Sequence, residues 1–113
     1  MRYAIPLSNG RLCAHFGHCE QFAFIDVDEN TGVVIEKVLV TPPAHQPGVL
    51  PAWLADEGTN IVIAGGMGPR AVDLLKQHRI DVIIGAMEDD PENLINAHRQ
   101  GKLQLGDNVC DHS

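Results

Sequence analysis

Two short apolar runs constrain the fold more than any other feature of this chain. Ile61-Val62-Ile63-Ala64 and Val82-Ile83-Ile84 are too short for helices and show no polar alternation. Runs of that kind are strands covered on both faces, as in a parallel sheet flanked by helices. Gly65-Gly66-Met67-Gly68-Pro69 separates the first run from a helix predicted over Arg70 to about His78, with Ala71, Leu74 and Leu75 inward. After Gly85, Asp89-Asp90-Pro91-Glu92 has the marks of a helix start: an N-cap acid, Pro at the first position and an acid in the first turn. Leu94, Ile95 and Ala97 supply that helix's apolar face, and Gly101 ends it. Strand and helix alternating in this way require parallel strands joined by crossovers.

The first half reads differently. Residues 2–7 form a strand that ends at the turn Ser8-Asn9-Gly10, followed by a connection through residue 20. Phe22–Val27 and Val33–Val40 are β-rich and flank Asp28-Glu29-Asn30-Thr31-Gly32, so they predict an antiparallel hairpin. Three prolines and a glycine between Thr41 and Gly48 exclude regular structure there. Leu50, Trp53 and Leu54 recur at helical spacing, Pro51 suits a first turn, and Gly58 stops the helix. Leu103 and Leu105 predict a last short extended piece. The expectation is one α/β domain over residues 1–113, a three-layer α/β/α arrangement. Its mixed sheet has about five strands with one antiparallel hairpin, and Cys110–Ser113 is a flexible tail.

With 113 residues the chain can bury one core without disulfides. A formal net charge of −7 argues against nucleic-acid binding, which needs cations to displace phosphate counterions. The apolar runs fall short of the roughly 20 residues that span a bilayer. Met1-Arg2-Tyr3-Ala4-Ile5-Pro6 reads as a strand and not as a signal peptide, so the expected location is cytoplasmic. Three cysteines cannot complete a disulfide framework within one chain; in a reducing compartment they read as metal ligands or redox groups, and the alternative for Cys13 and Cys19 is that of small buried hydrophobes.

The densest chemistry is Cys13-Ala14-His15-Phe16-Gly17-His18-Cys19, with a smaller group at Cys110-Asp111-His112 and a lone His45 on the proline-rich loop. Thiols and imidazoles suit soft or borderline metals. In an open α/β sheet a ligand sits beyond the carboxyl ends of the strands. That rule places the Cys13–Cys19 segment beside the Gly65-Gly66-Met67-Gly68 turn. Such a turn offers backbone N–H groups to an anion, and Arg70 adds a charge; the same glycines also serve the tight turn that any strand-to-helix unit needs. Neither a dinucleotide fingerprint nor a phosphate-binding loop is present. Asp89 and Asp90 are explained by the helix start and Asp26 and Asp28 by a turn, and the acidic chain lacks a basic groove, all of which argues against a two-metal nuclease. His78 and His98 are expected in solvent, and Met67 and Met87 at the walls of the site.

Taken together, these motifs resemble the dinitrogenase iron–molybdenum cofactor biosynthesis family, the small NifX/NifB C-terminal-type domains. The resemblance rests on Ser8-Asn9-Gly10, His15-Phe16-Gly17-His18, Phe24 and Asp26, His45 to Leu54, Ile63 to Ala71, Gly101-Lys102-Leu103 and Cys110-Asp111-His112. It implies a ribonuclease-H-like fold and binding of iron–molybdenum cofactor, its iron–sulfur precursor or a molybdenum–copper–sulfur cluster. Cys13 and Cys19 depart from the family pattern, where Ser and Ala are common. The expected function is therefore binding, storage or transfer of a metal–sulfur cluster, without catalysis. His15, His18, His45, Cys110 and His112 would be ligands, joined by Cys13 and Cys19; Gly65, Gly66, Met67, Gly68 and Arg70 would hold the anionic sulfides. Cluster donor and acceptor proteins would be partners, and the chain itself a monomer or weak homodimer. The alternatives are a single zinc site built from two His and two Cys, and a metal-free module for a small anion or protein partner.

Overall fold

The computed structural model describes residues 1–44, 46 and 48–106, with His18 described by its backbone alone. His45 and the Cys110–His112 group lie outside the described residues. Among the described residues six strands form one mixed sheet: β1 (Arg2–Ser8), β2 (Arg11–Leu12), β3 (Gln21–Val27), β4 (Val34–Val40), β5 (Ile61–Ile63) and β6 (Asp81–Ile83). The helices are α1 (Val49–Asp56), α2 (Pro69–Gln77) and α3 (Pro91–Arg99). The order across the sheet is β4-β3-β1-β5-β6, with β2 paired to β1. β1, β5 and β6 run parallel, while β3 is antiparallel to both β1 and β4.

Alternation along the strands sorts the core into two layers. Tyr3, Ile5, Leu7, Ile25, Val27, Ile61 and Ile63 face Leu94 and Ile95 of α3. Ala4, Phe22, Phe24 and Val62 face Leu50 and Leu54 of α1 and Leu75 of α2. On that second face Phe22 and Phe24 each meet Trp53 edge-on, at centroid distances of 5.5 and 5.4 Å, a favoured aromatic geometry.

The sequence expectations hold for β5, which is buried throughout, and fail for β6. Asp81 is exposed and Val82 and Ile83 are half-buried, because β6 ends the sheet. The expected five strands become six. β2 is the addition, and it forms because Asn9 and Gly10 both take positive φ (54° and 79°). That pair of angles belongs to a two-residue turn whose twist matches antiparallel strands. The helix start before Pro91 also differs in detail. Asp90 is the N-cap residue, yet its side chain makes no capping bond. Asp89 Oδ1 instead accepts from the Asp90 N–H (2.7 Å) and from Asn93 Nδ2 (3.1 Å). These bonds hold the Asp89 carboxyl below the usual range. His98, expected in solvent, is half-buried, with its Nδ1 2.9 Å from the Tyr3 hydroxyl.

Candidate functional site

β1 outruns its parallel neighbour. It pairs with β5 through Tyr3 and Ala4 only, whereas Leu7 and Ser8 on the same side pair with Leu12 and Arg11 of β2. The chain leaving β2 is therefore laid across the carboxyl end of β5. Cys13 N–H donates to the Pro6 carbonyl (2.8 Å), which extends the β1–β2 ladder by one bond. The next residues zip onto the glycine turn. Gly66 N–H donates to the Ala14 carbonyl (2.7 Å), and Phe16 N–H donates to the Gly66 carbonyl (2.9 Å). This is a one-residue parallel bridge between His15 and Gly66. A short 3-10 turn, Phe16–His18, follows.

Gly65 makes the approach possible. A Cβ there would lie 3.2 Å from the Ala14 carbonyl oxygen, 3.3 Å from Ala14 Cα and 3.4 Å from the Ala86 carbonyl oxygen. The Gly85 N–H donates to the Gly65 carbonyl (2.8 Å), so the β5 and β6 turns are stitched together as well.

These segments enclose a cavity of about 390 Å³, lined by Ser8, Asn9, Leu12, Cys13, Ala14, His15, Gly65, Ala86 and Glu88. His15 is exposed on its wall, whereas Cys13 is nearly buried with its Sγ 3.3 Å from the His15 carbonyl oxygen. Across the mouth, Arg11 Nε approaches Glu88 at 3.8 Å and Nη1 approaches Asp90 at 3.5 Å. Those bonds link the β1–β2 hairpin to the segment before α3. Glu20 Oε1 accepts from the Asn9 N–H (2.8 Å) and steadies the hairpin turn.

The structure brings Cys13, His15 and Gly65 to one cavity and sends other expected residues elsewhere. Cys19 packs against the Phe16, Phe22 and Leu50 cluster. Burial, and secondarily the neighbouring Cys13, pushes its thiol up to about 12. Met67 is 1% exposed and belongs to the same core cluster. The Gly66 N–H, expected to face an anion, is already committed to Ala14. Arg70 is exposed and lines a different hollow of about 230 Å³, with Phe16, Gly48, Leu50, Pro51 and Leu74. Gly68 is the N-cap residue of α2, with no side-chain cap bond. Met87 is 60% exposed on the chain after β6.

Ser8, Asn9 and Glu88 are cavity residues that the sequence reading passed over. Asn9-Gly10 was the available signal, since that dipeptide is a strong hairpin mark that folds the chain back beside β1. Among the described residues, no group of three or more His, Cys, Asp or Glu side chains is arranged to hold a metal ion. No helix of the described residues is long and apolar enough to cross a membrane.

Residues 1–101 match the family described as dinitrogenase iron-molybdenum cofactor. The chain belongs to that family. An uncharacterized protein of Methanocaldococcus jannaschii is 33% identical over 109 residues, covering 92% of this chain and 90% of its own. The crystal structure of PH0822 superposes with a TM-score of 0.82 at 32% identity, covering 94% of this chain and 96% of the other. The apo form of the orange protein from Desulfovibrio gigas superposes with a TM-score of 0.71 at 20% identity, covering 95% and 93%. That last likeness is one of fold alone. In this chain the glycine turn and the Cys13–His15 segment lie together at the carboxyl end of β5.

Proposed function

We propose that this protein binds a metal–sulfur cluster as cargo and passes it between proteins, without catalysing a reaction. The single observation that carries the reading is the seating of the Cys13–His15 segment on the glycine turn. It produces one cavity that presents an imidazole and a thiol at the strand ends where α/β sheets bind ligands. The donor set fits such a cargo. An exposed imidazole and a nearby thiol suit a soft metal, and the Asn9 side-chain amide can donate a hydrogen bond to sulfide, whereas the Ser8 hydroxyl already donates to Glu20 Oε1 (3.3 Å).

In this reading His15 and His18 are the principal ligands and Cys13 assists. Cys19 joins only if its protonated, packed side chain is released. The Gly65–Gly68 turn works by shaping the wall more than by offering amides, since the Gly66 N–H is already in use. Met67 lies in the core and Arg70 lines a separate hollow, so neither lines this cavity. His45, Cys110 and His112 complete the ligand set from segments outside the described residues. The tail departs from a favourable place: the Gly106 N–H donates to the Gly85 carbonyl (2.6 Å), beside Ala86 on the cavity wall. The cargo is an iron–sulfur cluster, an iron–molybdenum cofactor precursor or a molybdenum–copper type cluster, exchanged with donor and acceptor proteins in the cytoplasm. We also assign residues 1–113 to one domain, and the β4-β3-β1-β5-β6 sheet to the ribonuclease-H-like class; β3, the antiparallel member of that five-strand order, supports the assignment.

Anaerobic reconstitution with iron, molybdate or thiomolybdate, and sulfide, followed by metal and labile-sulfide analysis, tests the proposal. A coloured protein with stoichiometric sulfide is expected, and a His15→Ala/His18→Ala variant should lose most of it. Undiminished uptake by that variant overturns the site. A colourless protein holding one zinc and no sulfide overturns the cargo.

A further inference from the structure

We propose that Arg11 sets the sign of the charge that the cavity accepts. By engaging Glu88 it withholds a carboxylate ligand and cancels its charge, so the site takes an anionic cluster and not a bare divalent cation. The inference rests on the cargo reading above and assigns its selectivity to one residue. Glu88 is the one carboxylate among the nine described residues that line the cavity. Together with His15 and Cys13 it would complete an imidazole, thiolate and carboxylate set. Three such ligands with water in the fourth place suit zinc. A carboxylate on the wall also repels an anion at close range. Both effects favour a bare cation over an anionic cargo, and Arg11 opposes both.

Arg11 Nε lies 3.8 Å from Glu88 Oε2, and Nη2 lies 3.5 Å from the Glu88 carbonyl oxygen. One guanidinium thus meets Glu88 through both side chain and backbone, while its Nη1 lies 3.5 Å from Asp90 Oδ1. The Leu12 N–H donates to the Asp89 carbonyl (3.1 Å), which ties β2 to the 88–90 segment beside the pair. The ion pairs of the described residues give Glu88 no other partner. Two neighbouring acids are turned to local structure. Glu20 Oε1 accepts from the Asn9 N–H and the Ser8 hydroxyl. Asp89 Oδ1 accepts from the Asp90 N–H and Asn93 Nδ2. Glu88 is therefore the acid whose direction Arg11 controls. With Arg11 in place, no three His, Cys, Asp or Glu side chains among the described residues are arranged to hold a metal ion.

Stability does not account for the pair. The side chains of Arg11, Glu88 and Asp90 are 45, 70 and 58% exposed, and contacts of 3.5–3.8 Å between such groups contribute little to folding. What the pair changes is the field at the cavity mouth, where salt screens poorly over a few ångströms. Lys102 supplies the comparison. It lines the hollow on the other side of Glu88, with Met87 and Asp89, and makes no ion pair among the described residues. Neutralising Lys102 changes the net charge as much as neutralising Arg11 does, yet leaves the Arg11–Glu88 pair whole.

Anaerobic equilibrium dialysis of the full chain against tetrathiomolybdate, a dianion, and separately against Zn²⁺, read by metal analysis, tests the inference. Arg11→Gln should weaken tetrathiomolybdate binding about tenfold and strengthen Zn²⁺ binding about tenfold, as one uncompensated carboxylate at close range requires. The Arg11→Gln/Glu88→Gln double variant should return both affinities towards the parent, which a merely structural role of Arg11 would not do. Lys102→Gln should leave both within about twofold. Should Arg11→Gln fail to fold by circular dichroism, Glu88→Gln decides alone, with tighter tetrathiomolybdate binding and no gain in zinc expected. Equal shifts in Arg11→Gln and Lys102→Gln overturn the role of Arg11, as does a loss that the double variant does not restore. Uptake that His15→Ala removes and Arg11→Gln leaves unchanged also overturns it, and the site then stands without this selector. A parent chain that takes up no tetrathiomolybdate overturns the cargo reading and this inference together.

Discussion

Gly65 shows how one missing side chain organises the site. Its place between Ala14 and Ala86 leaves contacts of 3.2–3.4 Å for any added Cβ, tighter than comfortable packing, and the neighbours are backbone. Gly65→Ala should therefore push the Cys13–His15 segment off the turn and cost about 1–3 kcal/mol, the range for overpacking a buried position. Urea denaturation would measure it, and a variant as stable as the parent would refute the tight seating. Cys19 makes the opposite point, since a residue that looks reactive in the sequence is quiet in the fold. With its thiol pushed up to about 12 by burial, it stays protonated at pH 8, and only the thiolate reacts. Alkylation of Cys19 by iodoacetamide should be at least tenfold slower in the native protein than in urea, read by peptide mass spectrometry. Equal rates would show that the side chain is not held in the Phe16/Phe22 cluster. The linkage sign follows: a raised thiol value favours the native state most below the ordinary thiol range, and that advantage disappears as pH rises towards 12.

Elements here are chosen by pattern and placed by packing. α1 has Gly48 at its N-cap with φ 80°, and it buries Leu50, Pro51 and Leu54. Leu54 is fully buried against Phe22, Phe24 and Leu75. Leu54→Ala should cost about 2–5 kcal/mol, the range for a truncated core leucine. A midpoint shift worth less than about 1 kcal/mol would mean that the α1 face of the sheet is not a packed layer. The strands were legible because apolar runs and turn residues bound them clearly. β2 was not, since two residues carry no periodicity and the Asn9-Gly10 dipeptide, whose positive φ angles turn the chain back, is its one sequence mark. The half-exposure of β6 was equally hidden. Val82-Ile83-Ile84 and Ile61-Val62-Ile63 look alike as sequence, and only the strand order decides which is central.

At the scale of the whole molecule, Arg2 ties three parts together. Its Nε and Nη2 reach Asp26 Oδ1 and Oδ2 on β3 at 2.8 and 3.1 Å. Its Nη1 donates to the Glu57 carbonyl after α1, and its backbone N–H donates to Asn60 Oδ1 before β5 (2.7 Å). The Arg2 hydrogen bonds hold the Asp26 carboxyl below the usual carboxylate range. A depressed value means that the contribution is complete above the ordinary aspartate range and is lost as pH falls through the native value. Asp26→Asn should lower stability at pH 7 by under about 1 kcal/mol, as for partly exposed pairs, and should flatten the loss of Tm below pH 4. An unchanged acid limb in the variant would assign that loss to other carboxylates.

The sequence alone determined the alternation of strands and helices, the hairpin before the loop, the family, and the neighbourhood of the Cys13–Cys19 segment and the glycine turn. It could do so because turn residues, caps and apolar periods are local signals, read within a few residues of where they act. Only the tertiary structure decided which of the candidate residues share a cavity. Consecutive side chains of an extended segment point to opposite sides, so His15 reaches the cavity while Phe16 enters the core. The long-range bonds from Ala14 and Phe16 to Gly66 set that register. The same bonds occupy the Gly66 amide, and no spacing along the chain encodes whether a backbone donor is already taken.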